Sequence, residues 1–414
     1  MDILRLLTAG SVDDGKSTLI GRLLYDSKSI LTDHLETLKL QSKNIDKGNE
    51  FDLALLTDGL RAEREQGITI DVAYKYFSTT KRKFIVADTP GHIQYTRNMV
   101  TGASTADLMV VLIDARHGVI EQTRRHSFIA SLLGIKKVVV AVNKMDLVEY
   151  SQSVFDTIVS DYSKIAEYLK LENVMYIPMA AKPGDNVVVF SENMEWYQGP
   201  ALLEYLENVD LTNDFSTDNF RFQVQYVVRP QSEELHDFRG YAGRILSGVV
   251  KVGDDIVVMP ANVKSKIKTI DVAGISTDSA FAPQSCTFQL EDDIDISRGD
   301  LFAHSDAVVK SDTEIEAIVC WMGEKSLAVG NKYILQQNSR SVRSVIRGVD
   351  FRFNINELTK EESADEVKLN DLVKITLKTQ SPIVYDKYAD LKTNGAAVLI
   401  DETSNITVGA LMFV

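Results

Sequence analysis

Apolar and polar positions alternate in two different ways along the chain, and the change comes near residue 210. Before it, short runs rich in β-branched and aromatic residues are separated by longer stretches with helical spacing. This alternation predicts a parallel sheet with helices on its faces, formed by residues 1–210. The predicted strands are residues 3–8, 84–87, 108–113, 137–142 and 174–177.

A long polar segment, residues 27–67, separates the first two predicted strands. Its helical periodicity is weak, and charged residues cluster at 61–65. A loop of this length inside a compact domain usually serves a function. We interpret the segment as a mobile, partly helical insertion.

The second half of the chain consists of short alternating stretches that Gly and Asp interrupt, as in residues 241–259. This texture is typical of small β-barrels. We predict one barrel at residues 211–305 and another at 309–414, with the polar segment 303–311 as their connector. The predicted fold class is an α/β domain followed by two small β-barrel domains.

Charge and hydropathy argue against some classes of binding partner. The sequence has 45 Lys and Arg against 59 Asp and Glu, a formal net charge of −14. Binding to the phosphate backbone of nucleic acid needs an excess of positive charge, so we expect no nucleic-acid partner. No apolar run reaches the roughly 18 residues of a membrane-spanning helix, and the first residues do not form a secretory signal. We therefore expect a cytoplasmic protein without membrane contact.

The turn after the first predicted strand has the composition of a phosphate-binding loop. It fits the pattern GxxxxGK[ST] and precedes a helical run, which is the context that the pattern requires. Glycines at both ends allow backbone N–H groups to face phosphate oxygens, while Lys16 neutralises the β- and γ-phosphates. Ser17 supplies a hydroxyl to Mg²⁺. The predicted nucleotide-binding residues here are Gly10, Ser11, Val12, Asp13, Asp14, Gly15, Lys16, Ser17 and Thr18.

Two further segments lie in the order that a γ-phosphate and Mg²⁺ site needs. Asp88 can hold a water of the metal shell, and Gly91 can donate its N–H to the γ-phosphate. Thr69 can reach the metal when the γ-phosphate is bound. Taken alone, the first segment would be interpreted as a turn and the second as the start of a strand. The predicted residues of the turn are Asp88, Thr89, Pro90, Gly91 and His92.

The segment Asn143, Lys144, Met145 and Asp146 follows the apolar strand 137–142 and selects the base. The Asp146 carboxylate accepts hydrogen bonds from guanine N1–H and the N2 amine, whereas adenine has an acceptor at N1 and no amine at C2. Asn143 braces the loop and Lys144 covers the base. The expected ligands are therefore GTP and Mg²⁺. Without the phosphate loop upstream, this segment would be interpreted as a solvated loop.

Together these motifs resemble the translation-factor GTPases. In that family a histidine directly after the Asp-x-Pro-Gly turn positions the attacking water. The resemblance therefore implies that His92 is catalytic alongside Lys16, with Val12 and Ile68 as an apolar gate beside it. It also implies an α/β P-loop GTPase domain followed by two small β-barrel domains.

A closer resemblance, over nearly the whole chain, is to the large-subunit family of bacterial heterodimeric sulfate adenylyltransferases. In such enzymes a small catalytic subunit of the ATP pyrophosphatase type makes adenylyl sulfate and diphosphate from ATP and sulfate. GTP hydrolysis by the large subunit drives that synthesis. The resemblance implies a heterodimer with the small subunit, and it is carried by Asp13-Asp14 and by residues 53–77, 94–99, 238–243, 292–300, 393–396 and 405–410.

The sequence departs from that family at two positions. Ile93 stands where an acid is usual, and Ala180 replaces the usual Ser before Ala181. Neither change removes a charged catalytic group. Ala181 still offers its backbone N–H to guanine O6, so we keep Ala180 and Ala181 in the predicted GTP site.

Two other classes of function share some of these features. An elongation factor that delivers aminoacyl-tRNA has the same domain plan and the same GTPase motifs, although the acidic balance, the Asp13-Asp14 pair and the barrel sequences argue against it. A nucleotide-binding module could also switch a partner without meaningful turnover, because intrinsic hydrolysis is slow until a partner completes the site.

Overall fold

The structure is a computed structural model that describes residues 2–28, 53, 71–91, 96–210, 219–230, 238–354, 357, 359–362 and 366–414. Most of the predicted insertion at 27–67 lies outside these residues, as do Ile68, Thr69, His92 and Ile93. The chain divides into two units near residue 211, and both barrels belong to the second unit.

The first unit contains a six-stranded sheet with the order β2-β3-β1-β4-β5-β6. The five predicted strands are present, but β2 was not predicted. It pairs antiparallel with β3, so the sheet is mixed rather than purely parallel. β2 is an edge strand with exposed Tyr74 and Tyr76, and its apolar signal is therefore weak. The strands are β1 Ile3–Ala9, β2 Ala73–Ser78, β3 Lys83–Asp88, β4 Leu108–Asp114, β5 Lys137–Asn143 and β6 Asn173–Pro178.

The central strands of this sheet are buried on both sides. Every residue of β4 is buried, as are the last six residues of β5. Such strands are continuous apolar runs because helices cover both faces of the sheet. The helices are α1 Lys16–Asp26, α2 Thr96–Ala103, α3 Glu121–Leu132, α4 Gln152–Tyr168 and α5 Leu202–Asn208. The polar ends of β1, β3, β4 and β5 meet at one edge of the sheet, and the candidate site lies there.

The second unit begins with a six-stranded barrel, closed by the pairing of β10 with β11. Buried and exposed residues alternate along β14, and the buried ones join an aromatic core that includes Phe222, Phe288 and Phe302. Closure leaves the six barrel strands paired on both sides, as predicted from the sequence. The strands of this part are β7 Arg221–Val228, β8 Gly240–Ser247, β9 Val249–Lys251, β10 Asp255–Met259, β11 Val263–Val272, β12 Ile275–Thr277, β13 Ser279–Phe281, β14 Ser285–Leu290 and β15 Leu301–His304.

A second six-stranded barrel follows, closed by the pairing of β17 with β18 around a core that includes Trp321. The connector between the barrels is shorter than predicted, because residues 303–304 end β15 and residues 310–311 begin β16. The elements are β16 Lys310–Trp321, β17 Lys332–Gln337, β18 Arg340–Asn354, β19 Thr359–Glu362, β20 Leu372–Tyr385, α6 Lys392–Gly395, β21 Ala396–Asp401 and β22 Thr407–Phe413.

A buried ion pair joins the two barrels. The Arg221 side chain, 3% exposed, lies 3.1 Å from the Asp386 carboxylate across the junction. Arg221 also donates to the carbonyl oxygens of Phe220 and Val308. A buried charge is tolerated when its hydrogen bonds are satisfied, and removal of one partner alone is strongly destabilising.

Candidate nucleotide-binding site

The phosphate loop lies between β1 and α1, as predicted. Its backbone takes left-handed conformations at Asp13 (φ 68°) and Gly15 (φ 94°). Gly15 lies so close to the Asn143 amide that an added Cβ would come within 2.5 Å of its nitrogen. The loop therefore requires glycine here both for backbone conformation and for space. Ser17 and Thr18 occupy the first turn of α1, half-buried at the loop.

Lys16 is buried at 7% exposure, and its ammonium group lies inside the curve of the loop. Its Nζ donates to the carbonyl oxygens of Gly10 at 3.1 Å and Ser11 at 2.7 Å. Burial lowers the Lys16 pKa, and the nearby Asp88, Asp14 and Asp13 offset only part of that lowering. The arrangement places the Lys16 amino group where the phosphates of a nucleotide would lie.

The two adjacent acids of the loop have different surroundings. Asp13 is exposed, whereas Asp14 is buried and accepts a hydrogen bond from Ser11 N at 2.5 Å. Burial is the main cause that raises the Asp14 pKa. The Asp14 carboxylate therefore stabilises the loop from within. Val12, between Ser11 and Asp13 in the sequence, is half-buried.

The Asp88–Gly91 turn follows β3 and lies against the phosphate loop. Asp88 is 2% exposed, and one of its oxygens accepts from the Thr8 hydroxyl at 3.2 Å. The Thr89 hydroxyl in turn donates to Thr8 O at 2.6 Å. Pro90 and Gly91 are buried, and a Cβ on Gly91 would lie 2.7 Å from Gly10 O. Two adjacent strands thus bring Asp88 and Gly91 to the loop.

The Asn143 side-chain amide connects the phosphate loop to the backbone at Ala181. Its Nδ2 donates to Asp14 O at 2.8 Å, and its Oδ1 accepts from Ala181 N at 2.9 Å. The predicted bracing role of Asn143 corresponds to these two bonds. Ala180 is fully buried, and its carbonyl accepts from Gly184 N at 2.9 Å, so the turn is closed without a serine hydroxyl.

Met145 and Asp146 begin a 3₁₀ turn, Met145–Val148, directly after β5. Met145 is fully buried, and its N–H donates to Met179 O at 3.1 Å. This anchor leaves Asp146 half-buried at the surface of the loop. A carboxylate in this position could accept hydrogen bonds from the edge of a base.

His126, on α3, was not among the predicted site residues. Its Nδ1 accepts a hydrogen bond from Gly10 N at 3.1 Å, and the side chain is 4% exposed. Burial, together with the charges of Lys16 and Arg125, lowers the His126 pKa to about 3. The imidazole is therefore neutral near pH 7, with Nδ1 free of a proton and able to fix the first amide of the loop.

Two substitutions of His126 distinguish the effect of its hydrogen bond on stability from the effect of its packing. His126→Asn places an amide oxygen near the position of Nδ1, whereas His126→Leu leaves a buried N–H without an acceptor. We expect His126→Leu to lose about 1–3 kcal/mol of unfolding free energy. Urea unfolding of both variants measures the difference, and His126→Asn should recover most of it.

The same histidine predicts a pH dependence of stability. The unfolded chain takes up a proton near the ordinary value of 6.5, whereas folded His126 does so near 3. Its contribution is therefore full above pH 6.5 and is lost as the pH falls toward 3, by about 1.4 kcal/mol per pH unit. His126→Asn should flatten this slope. An equal slope in the wild type and the variant would contradict the assignment.

The oxygens of Ser17 and Asp88 fit Mg²⁺, which prefers hard oxygen ligands and retains part of its water shell. The Ser17 hydroxyl follows the phosphate loop and the Asp88 carboxylate begins the neighbouring turn, so both possible metal ligands lie near Lys16. Thr69, the third predicted ligand, lies outside the described residues, and so does His92. In the described part of the chain, no separate group of three or more His, Cys, Asp or Glu could hold a metal.

Comparison with known proteins follows the same division of the chain. Residues 1–212 match the elongation factor Tu GTP binding domain, and residues 314–413 match the GTP-eEF1A C-terminal domain-like family. Sulfate adenylyltransferase subunit 1 of Saccharophagus degradans is 50% identical over 414 residues, covering 100% of this chain and 87% of the relative. The chain belongs to the sulfate adenylyltransferase subunit 1 family.

Two other comparisons extend this relationship. The bifunctional enzyme CysN/CysC of Mycobacterium tuberculosis is 51% identical over 412 residues, which cover 99% of this chain and 67% of that protein. The Ski7 GTPase-like domain of S. cerevisiae, solved with GTP, shares only 18% identity with a TM-score of 0.52, covering 100% of this chain and 97% of that one. This second likeness concerns the fold alone. The predicted fold class and the resemblance to both families are confirmed.

The described helices of this subunit 1 family member include none with the length and apolar character needed to cross a membrane. Two residues that hold the site together were missed by sequence reasoning: Thr8 and His126. The only available signal was their position at the ends of strands or on a helix facing the loop, which becomes specific only when the sheet order is known.

Proposed function

We propose that this chain is the GTP-hydrolysing regulatory subunit of a sulfate adenylyltransferase. A small catalytic subunit of the ATP pyrophosphatase type would convert ATP and sulfate to adenylyl sulfate and diphosphate. Hydrolysis of GTP to GDP and phosphate by this chain would drive that unfavourable synthesis. The observation that carries the proposal is the 50% identity to sulfate adenylyltransferase subunit 1 over the full 414 residues.

The geometry supports GTP as the nucleotide. The Lys16 ammonium group and the N-terminus of α1 provide the positive field for the β- and γ-phosphates. Asn143 holds the phosphate loop and Ala181 in one hydrogen-bonded frame, at 2.8 and 2.9 Å. Asp146 would accept two hydrogen bonds from guanine. The Ala181 N–H donates to Asn143 Oδ1, so it would bind guanine O6 only by leaving or sharing that bond.

Hydrolysis would use residues on both sides of the γ-phosphate. Ser17, Thr69 and Asp88 would hold Mg²⁺, which would supply neutralisation of phosphate charge. Gly91 N–H would bind the γ-phosphate, and His92 would orient the attacking water. Val12 and Ile68 would exclude other water from this position. Loss of the γ-phosphate would release Gly91 and Thr69, and these contacts would carry the signal to the partner.

The partner and the compartment follow from this chemistry. The relatives' name, subunit 1, implies another subunit, and we infer that this chain forms a heterodimer with the small catalytic subunit. The use of ATP and GTP favours the cytoplasm. The relatives and the net charge of −14 favour this function over delivery of aminoacyl-tRNA.

The test is diphosphate release from ATP and sulfate by this chain mixed with its candidate small subunit. Four conditions separate the possibilities: GTP, GDP, a non-hydrolysable GTP analogue, and no guanine nucleotide. We expect GTP to stimulate the reaction well beyond the analogue, with GTP consumed in proportion to product. This difference arises because hydrolysis, rather than binding alone, supplies the driving free energy.

An Asp146→Asn variant in the same mixture is the matched control, because it should respond to XTP instead of GTP. A response that follows this change in base excludes a contaminating GTPase. No stimulation by GTP, although GTP is hydrolysed, would contradict the proposal and direct the search to tRNA. If GTP stimulates synthesis no more than the analogue does, GTP binding alone acts as a switch and GTP hydrolysis is not coupled to synthesis.

A further inference from the structure

Asp114 is a buried carboxylate beside the predicted base loop that belongs to none of the recognised motifs. It ends β4, where the strand register pairs it with Asn143 at the end of β5. Its side chain is 2% exposed. The carboxyl ends of neighbouring parallel strands meet at one edge of a sheet, so Asp114 lies directly next to the residues that would contact a base.

Two cations hold this carboxylate. The Asp114 Oδ2 atom lies 2.9 Å from Lys144 Nζ, and Arg116 donates from Nε at 3.0 Å and from its terminal nitrogen at 2.6 Å. Arg116 N adds a bond of 2.9 Å to Oδ1. Burial alone raises the Asp114 pKa, but the bonds from Arg116 and Lys144 outweigh it and hold the pKa well below its usual range. Asp114 is therefore charged.

The Lys144 ammonium group has a second partner, the carbonyl oxygen of Asp13 in the phosphate loop. One side chain thus joins Asp114 at the end of β4 to the loop before α1. The Lys144 backbone is left-handed, at φ 63°, so it follows neither strand nor helix. The direction of the side chain is therefore set by the groups at its tip, and Asp114 is the charged one among them.

We propose that Asp114 is a positioning residue for guanine nucleotide, which acts by fixing Lys144 between the base loop and the phosphate loop. The proposal rests on the proposed function only in requiring that a guanine nucleotide binds at this loop. Lys144 is the residue that would cover the bound base. Its release should therefore affect the dissociation rate more than the association rate.

The variant Asp114→Asn tests this role, because it keeps the size of the side chain and removes its charge. We expect GDP carrying a fluorescent methylanthraniloyl group to dissociate about tenfold faster, since a charge-assisted hydrogen bond to Lys144 is lost. At saturating GTP the rate of hydrolysis should change less than about twofold, because the reacting phosphate contacts are retained. Stopped-flow release and single-turnover hydrolysis by the full chain measure the two effects.

Two comparisons separate positioning from general structural support. Asp107 directly precedes the same strand and accepts a hydrogen bond from Arg5 N at 2.9 Å, so Asp107→Asn is the matched control and should leave GDP release unchanged. In a Lys144→Met background, Asp114→Asn should accelerate release by less than about twofold, because its target is already absent. A purely structural effect would be equal in both backgrounds.

Equal release from the Asp114→Asn and Asp107→Asn proteins, or additive effects in the double variant, would overturn the proposal. If Asp114→Asn does not fold, Asp114→Glu keeps the charge and displaces it by one methylene. Severalfold faster release from Asp114→Glu would support positioning, and unchanged release would overturn it. These measurements need no small subunit. Normal GDP binding without GTP-stimulated synthesis would therefore overturn the proposed function alone, whereas no guanine-nucleotide binding would overturn both.

Discussion

Asp146→Asn is expected to change the preferred base from guanine to xanthine. An asparagine still accepts a hydrogen bond from N1–H, but its amide nitrogen meets the guanine N2 amine, another donor. Xanthine has a carbonyl oxygen at that position and accepts the bond. Because an unpaired polar group in a binding site is costly, GTP affinity should fall about a hundredfold or more while XTP affinity rises. Competition between labelled GDP and each triphosphate measures both.

The control for this exchange is Asp161→Asn, on the surface of α4, where the carboxylate pairs with Lys164 at 3.0 Å. Its base preference should remain that of the wild type. Because Met145 anchors the turn from inside the core, the Asp146 variant should unfold at the same urea concentration as the wild type. Loss of GTP binding without any gain for XTP would show that Asp146 does not contact the base.

Gly91→Ala should impair hydrolysis far more than GDP binding. The new Cβ would lie 2.7 Å from Gly10 O, 2.8 Å from Lys16 Nζ and 2.8 Å from the carbonyl carbon of Ser11. Two of these three atoms are backbone and cannot swing aside, so the turn must move off the phosphate loop. A displacement near 1 Å at a reacting group can cost about a hundredfold in rate. We expect a loss of that order in single-turnover GTP hydrolysis.

GDP lacks the γ-phosphate that Gly91 would contact, so its dissociation constant should change only a few-fold. Gly348→Ala is the matched substitution, since, its two chain neighbours apart, no atom of the described residues lies within 4 Å of the position of its Cβ. That variant should hydrolyse GTP normally. An equal loss of GDP binding and hydrolysis in Gly91→Ala would instead indicate a general distortion of the phosphate loop.

The parts of the site that could be predicted are those in which adjacent residues act together. Lys16 and Asp146 belong to short segments whose spacing is dictated by phosphates and by guanine, so the pattern is present in the sequence itself. His126 acts on Gly10 across 116 positions of the chain. Nothing in its local sequence distinguishes it from an ordinary buried histidine, and only the packing of α3 against the loop reveals the contact.

The barrels show a similar limit at the level of fold. Their texture predicted two closed sheets, but not the strand partners. β16 pairs with β20 and β22, which are far from it in sequence, and a register shift occurs between Asp312 and Glu314. Such shifts depend on where an extra residue bulges, and alternation of polar and apolar positions does not specify it. The edge strand β2 was missed for a related reason, because its exposed tyrosines interrupt the alternation.

The two hydrogen bonds of the Asn143 amide restrict which side chains position 143 can carry. One side chain must donate to Asp14 O and accept from Ala181 N at once, within a buried space that also excludes any side chain on Gly15. Aspartate lacks the donor, leucine lacks both groups, and glutamine is one methylene too long. None of these three residues keeps both bonds, so each exchange would release the phosphate loop from the backbone at Ala181.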